Sequence, residues 1–299
     1  MGGMNPFDLN DHDAYARWRD RKLANRPASL DELIVEIADP ARPTPTERDA
    51  VHRACSRANL AIFVTSRPES VVRQDLKALA GHFGLRRLNH NEGADDDGVT
   101  VLAVAETAQW RNTYIPYTDR PIHWHTDGYY NRPEEQIHGL MLYCETPAPR
   151  GGRNALLDHE LAYIHLREQD PELVRALMHP QAMTIPANQI DDHIERPARP
   201  GPVFSVRDDG RLHMRYTARR RNIEWRDDDV TREAARRLRA LLESDSPWIH
   251  RATLQRGQGL ICNNVLHDRA GFENSDEQRR LLYRLRFFDR IDPHFTAIA

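Results

Sequence analysis

From about residue 120 onward the chain is broken into short apolar runs. They cover 139–144, 154–157, 182–185, 212–216, 259–266 and 280–288, and turn formers such as Pro149-Arg150-Gly151-Gly152 and Gly257-Gln258-Gly259 separate them. Runs of this length between Gly/Pro signals read as strands. Helical spacing interrupts them twice, over 159–179 with a break before Pro171, and over 230–243. Many short strands with few helices imply an antiparallel double-sheet core decorated by helices. No internal repeat and no linker divides the 299 residues. The expectation is one mainly β domain over 1–299, with a mixed N-terminal part over 1–98 and the core over 99–290.

The first third reads as mixed. Ser29 with Glu32 has capping-box spacing, and Thr46 can cap a helix over 47–58. Residues 60–65 form a strand-like run, and Ser70 can cap a helix reaching Phe83 with Val71, Val72, Leu76 and Leu79 on its apolar face. An acidic loop is expected over 91–98 and a buried strand over 99–105. The 186–202 segment, with Pro186, Pro197, Pro200 and Pro202, reads as a long loop and a candidate lid.

Charge excludes some functions. Lys+Arg is 42 against 45 Asp+Glu, a net −3, so the basic footprint of a nucleic-acid binder is missing. Only Lys22 and Lys77 are lysines, so the positive charge is arginine. No stretch approaches the roughly 18 apolar residues that span a bilayer, and the first residues lack the pattern of a signal peptide. Cys55, Cys144 and Cys262 are far apart and form neither a disulfide framework nor a Cys-x-x-Cys site. These features point to a cytoplasmic enzyme or binding protein with a small-molecule partner, not nucleic acid or membrane, and leave room for a homo-oligomer.

The chemistry concentrates in Pro121-Ile-His-Trp-His-Thr-Asp-Gly-Tyr-Tyr130. On an extended segment His125 and Asp127, at i and i+2, share a face and can reach one ion. A carboxylate and an imidazole completed by a distant histidine make the facial triad of non-haem Fe(II) oxygenases, which leaves positions open on the metal. Alone, His-x-Asp also describes an ordinary loop. The distant candidate is His267, at the end of the apolar run 260–266, where a core histidine would also fit. Beyond it Arg280 and Arg284 share one strand face, opposite Leu281, Tyr283, Leu285 and Phe287. They face solvent on an edge strand, or they point inward and hold a dicarboxylate.

Taken together, His125-x-Asp127, the Gly151-Gly152 turn before a short strand, and His267 followed by Arg280 and Arg284 resemble the taurine dioxygenase (TauD/TfdA-like) family of Fe(II)- and 2-oxoglutarate-dependent oxygenases. The shared elements span 123–288. The resemblance implies a double-stranded β-helix (jelly roll, cupin-like) core with flanking helices. It implies Fe(II) on His125, Asp127 and His267, with 2-oxoglutarate and O₂ as cosubstrates. Arg284 would pair with the far carboxylate of 2-oxoglutarate and Arg280 would sit near its chelating end. Asn154 stands where many members have a threonine that bonds the far carboxylate. No catalytic residue beyond the metal ligands is implied.

The implied reaction is hydroxylation or oxidative cleavage of a small, anionic metabolite with release of succinate and CO₂. Tyr129, Tyr130, Trp124 and Arg215 are candidate substrate contacts. Tyr129 and Tyr130 could instead stack on a quaternary ammonium group, the betaine alternative; that branch of the family has an N-terminal zinc module whose clustered cysteines this chain lacks. His123-x-His125-x-Asp127 also scans as the start of a zinc hydrolase motif, but Gly128 stands where that motif requires histidine. A non-catalytic jelly-roll binding module is the remaining reading.

Overall fold

The computed structural model describes residues 5–90, 93–104, 114–190, 193–219 and 223–291. Two compact units divide the chain, one of Met1–Arg26, His123–Gln136 and Leu157–Ile249, the other of Pro27–Ile122, Ile137–Leu156 and His250–Ala299.

The latter unit is built on a six-stranded sheet in the order Ile34–Ile37, Leu60–Thr65, Gln258–Cys262, Gly139–Thr146, Leu281–Phe287, Thr100–Leu102. The first pair is parallel and the others antiparallel. Leu140 to Cys144 are buried on successive residues, the pattern of a strand covered on both faces. The helix Pro45–Ala58 lays Val51, Ala54, Cys55 and Ala58 into the same core as Phe63, Tyr143 and Leu260. Its 3,1,3 spacing is a helical stripe. Arg73–Gly81 adds Leu76, Leu79 and Ala80. His250–Ala252, Asn154–Leu157 and Leu266–Arg269 are consecutive strands of a second sheet.

In the other unit, the helices His159–Gln169 and Pro171–Leu177 separate at Pro171, as its missing N–H requires, and Asp170 caps the second by accepting from the Glu172 N–H. Asp158 caps the first and, with Glu160, pairs with buried Lys22 at 2.6 and 2.5 Å. Asp229–Leu242 and His12–Asn25 complete the helices, and among the described residues none is long and apolar enough to cross a membrane.

Several local expectations are corrected. Thr44, not Thr46, caps the helix beginning at Pro45, because Glu47 lies three residues beyond it and closes the capping box, with Pro45 pre-set at the first position. Ser29 makes no side-chain cap, and 30–33 is a single 3-10 turn. Ser70 also ends a 3-10 turn; the helix starts at Arg73, where Asp75 accepts from the Val72 N–H. The 259–266 run is two strands, Gln258–Cys262 and Leu266–Arg269, parted at Asn264 with a φ of 49°. The buried strand near 99–105 is only Thr100–Leu102, and Ala105 lies outside the described residues, as do Asn91 and Glu92 of the acidic loop. The 186–202 segment contains the strands Asn188–Ile190, His193–Arg196 and Arg199–Gly201, because Pro186, Pro197 and Pro202 fall outside them and Pro200 stands in an outer strand of its sheet.

Candidate metal centre

His125 ends the strand Ile122–His125, whose neighbour is the chain around Thr217. Three bonds hold this stretch: Ala218 N–H to the Trp124 carbonyl at 2.7 Å, Thr126 N–H to the Tyr216 carbonyl at 3.0 Å, and Tyr216 N–H to Thr126 Oγ1 at 3.0 Å. Thr126, between the two ligand candidates, is thus fixed on both its backbone and its side chain. Gly128 then takes a φ of 69°, open to glycine at little cost, and its carbonyl accepts from Asn131 N–H at 2.8 Å.

His125, Asp127 and His267 each offer one ligand atom, and the three atoms lie within 4.8 Å of one another. Asp127 and His267 are buried. Both imidazoles are held alike: Nδ1 of His125 bonds the carbonyl of His123 at 2.9 Å, and Nδ1 of His267 bonds that of Val265 at 2.9 Å. A carbonyl can only accept, so each Nδ1 carries a proton and each Nε2 is the ring atom left to face a metal. His125 Nε2 is 3.4 Å from Asp127 Oδ1. Two neutral imidazoles and one carboxylate fit a divalent iron with open positions.

A second group of side chains surrounds Phe272. Arg280 and Arg269 each hold a guanidinium 4.9 Å from its ring centroid. Both are buried, and burial pushes their guanidiniums down, Arg280 to about 10 and Arg269 to about 9, the latter helped by the charge of Arg280. Arg269 donates to the carbonyls of Thr118 and Arg120. Arg280 makes no side-chain hydrogen bond or ion pair among the described residues, while a Cβ placed on Gly152 would lie 3.4 Å from its Nε. Asn154 is buried and donates from Nδ2 to the Asp268 carbonyl at 2.6 Å, beside His267. Arg284 lies in the strand Leu281–Phe287, opposite Leu142 and Thr100.

The substrate candidates separate. The Tyr129 ring lies 6.5 Å from that of His125, and Tyr130 packs edge-on to Tyr129 at 5.2 Å. Trp124 is buried on the opposite side of the strand from its neighbours His123 and His125. Arg215 spends its donors on carbonyls: Nε on Tyr129 at 2.8 Å, Nη1 on Met183 and Pro202, Nη2 on Met183 and Arg199. A Cβ on Gly201 would come within 2.5 Å of its Nη1. Arg220 and Arg221 of the same run lie outside the described residues. Arg269 and Phe272 were missed from sequence; the period-2 offset of Arg269 from His267 was the available signal.

Solved structures of the same fold include the non-heme iron oxygenase OrfP in complex with Fe, succinate and (3S)-hydroxy-L-Arg, at a TM-score of 0.59 and 18% identity over 83% of this chain and 81% of that one. A taurine dioxygenase from Burkholderia xenovorans aligns at a TM-score of 0.56 and 18% identity over 88% of each chain. The fold is therefore the expected mainly β jelly roll with flanking helices. A uridine-5'-phosphate dioxygenase from Amycolatopsis sp is 34% identical over 173 residues, 54% of this chain and 58% of that protein. One from Streptomyces sp is 33% identical over 200 residues, 64% of this chain and 69% of that protein. The relatives named for a phosphate ester give the betaine alternative no support. Residues 20–286 match the model of the family described as "Taurine catabolism dioxygenase TauD, TfdA family". The chain belongs to that family and is a dioxygenase that works with Fe(II) and 2-oxoglutarate.

Proposed function

We propose that this enzyme oxidises a small anionic metabolite of the nucleoside 5'-phosphate class, releasing succinate and CO₂ from 2-oxoglutarate, with His125, Asp127 and His267 as the iron ligands. The bound iron supplies the activation of O₂ and the hydrogen abstraction; the protein supplies geometry and exclusion of water. His123 and Val265, through their carbonyls, hold the two imidazoles in the ligating tautomer. Thr126 keeps Asp127 in register with His125.

The observation that carries the cosubstrate assignment is the buried Arg280 side chain, whose guanidinium has no acceptor among the described residues. An uncompensated buried charge is costly, and a carboxylate that pairs with it bidentately relieves the cost. Arg280 therefore takes the far carboxylate of 2-oxoglutarate, and Arg284 serves the chelating end. This exchanges the roles that the family resemblance implied for the two arginines. Asn154, its amide anchored on Asp268, offers its second N–H to the same carboxylate. The enzyme acts as a single catalytic domain, and three buried free thiols suit a cytoplasmic location.

The test is succinate formation from 2-oxoglutarate with Fe(II), with uridine 5'-monophosphate added as the primary substrate. Nucleotide-dependent succinate release, matched by consumption of the nucleotide, is expected. Release that is stimulated by other small acids and not by nucleotides would overturn the substrate class. Release that needs no 2-oxoglutarate would overturn the whole assignment.

A further inference from the structure

Near Tyr129 the structure concentrates positive charge that no carboxylate among the described residues answers. Arg215, fully committed to carbonyls, ties the Tyr129 backbone to the carbonyls of Arg199 and Pro202, and so fixes the strand Arg199–Gly201 beside the segment that follows Asp127. Arg199 is partly buried, and its Nε is buried without an acceptor among the described residues. Arg196, at the end of the strand His193–Arg196, donates to the carbonyls of Pro186 at 2.8 Å and Pro197 at 3.5 Å. It lies within electrostatic reach of both tyrosines, of Arg199 and of Arg215. None of the three arginines forms an ion pair among the described residues, although the chain has more acids than bases. Three neighbouring guanidiniums repel one another and lose hydration on burial, an arrangement that a bound anion stabilises.

We infer that Arg196 and Arg199 form the subsite for the phosphate monoester of the substrate, with Arg215 holding them in place behind. This rests on the nucleoside 5'-phosphate reading above and adds the residues that enforce it. A phosphate dianion presents three acceptor oxygens, a match for planar guanidinium forks that one carboxylate cannot saturate. The Tyr129 ring is 6.5 Å from that of His125 and packs on Tyr130, and Arg196 lies within electrostatic reach of both, so their aromatic faces can take the flat base or sugar of the same molecule. Arg196 and Arg199 thus select for substrates by charge, while Arg215 is a positioning residue that touches none of the substrate.

The experiment is calorimetric titration of the Fe(II)- and 2-oxoglutarate-loaded enzyme, without oxygen, using inorganic phosphate, uridine 5'-monophosphate and uridine. Wild type is compared with Arg196→Gln, Arg199→Gln and the charge-keeping Arg196→Lys, each checked for an unchanged melting curve. Loss of at least about tenfold in affinity for phosphate and nucleotide in both Gln variants, with uridine affinity unaltered and partial recovery in Arg196→Lys, is the expected result. In turnover the same loss should fall on KM for the nucleotide and not on kcat. Should the nucleotide be turned over while the Gln variants bind it as wild type does, the subsite is refuted and the substrate class survives. Should the nucleotide neither bind nor react, the substrate class fails and the phosphate titration decides the subsite by itself. Phosphate bound by wild type and lost in the variants upholds the subsite, and equal or absent binding overturns it.

Discussion

Arg215 and Arg280 are both buried, and burial pushes both guanidiniums down to about 10, still charged at neutral pH. Around Arg215 the backbone carbonyls of residues 129, 183, 199 and 202 take up every donor. Around Arg280 there is a phenyl ring, a glycine and, among the described residues, no acceptor. Burial alone therefore does not separate an arginine that builds the protein from one proposed to hold a ligand; donor saturation does. The pH consequence is the same for both. Their folded-state values lie below the ordinary 12.5, so each charge costs stability at every pH below about 10, and the cost fades only as pH rises from there towards 12.5.

The largest effect removes the metal site on which both arginines depend for any role in turnover. Asp127→Ala should abolish substrate-dependent succinate release while the protein stays folded by circular dichroism, since a lost ligand destroys the facial triad. Full activity would remove Asp127 from the centre. Next, Arg215→Met should destabilise the protein by about 3 kcal/mol, because several buried carbonyls lose their donor, and should lower Tm by roughly 6–12 °C. Its KM for 2-oxoglutarate should not move. An increase in that KM with an unchanged Tm would invert the comparison. Arg280→Gln should do the reverse, raising the 2-oxoglutarate KM by about 10- to 150-fold for the loss of a charge-assisted pair worth roughly 1.5–3 kcal/mol. Tm without cosubstrate should stay level or rise, as an unpaired buried charge has gone. Smallest is Gly128→Ala, where a side chain at a φ of 69° costs about 1–2 kcal/mol, read as reduced Tm. A neutral result would show that the turn after Asp127 is held by Arg215 rather than by its own backbone.

Much of the candidate metal centre was legible because its signals are local. His125 and Asp127 are two residues apart on an extended segment, and His267 follows a run apolar enough to be a buried strand. The strand Leu60–Thr65 was legible in full for the same reason. Arg215 was misjudged as a substrate contact because its acceptors come from four separate stretches of chain, and backbone carbonyls leave no mark in a sequence. Arg269 escaped notice for a related cause: what places it with Arg280 is the Phe272 ring that the two share, a contact set by the fold. The split of the 259–266 run needed the left-handed turn at Asn264, which the apolar pattern on either side obscured. The 186–202 segment was read from its prolines, and only pairing partners could reveal that Pro200 stands in an outer strand and the others between strands.

The clearance at Gly201 bears on how this chain can vary. Its missing Cβ would stand 2.5 Å from Nη1 of Arg215, and that guanidinium cannot step aside without releasing the carbonyls it holds. Positions 201 and 215, fourteen residues apart in sequence, are therefore one unit of inheritance. A larger residue at 201 is tolerable only alongside a shorter one at 215. A lineage crossing from one pair to the other must pass through an intermediate in which the chain beside Asp127 has come loose, so drift at either position alone is closed to this enzyme.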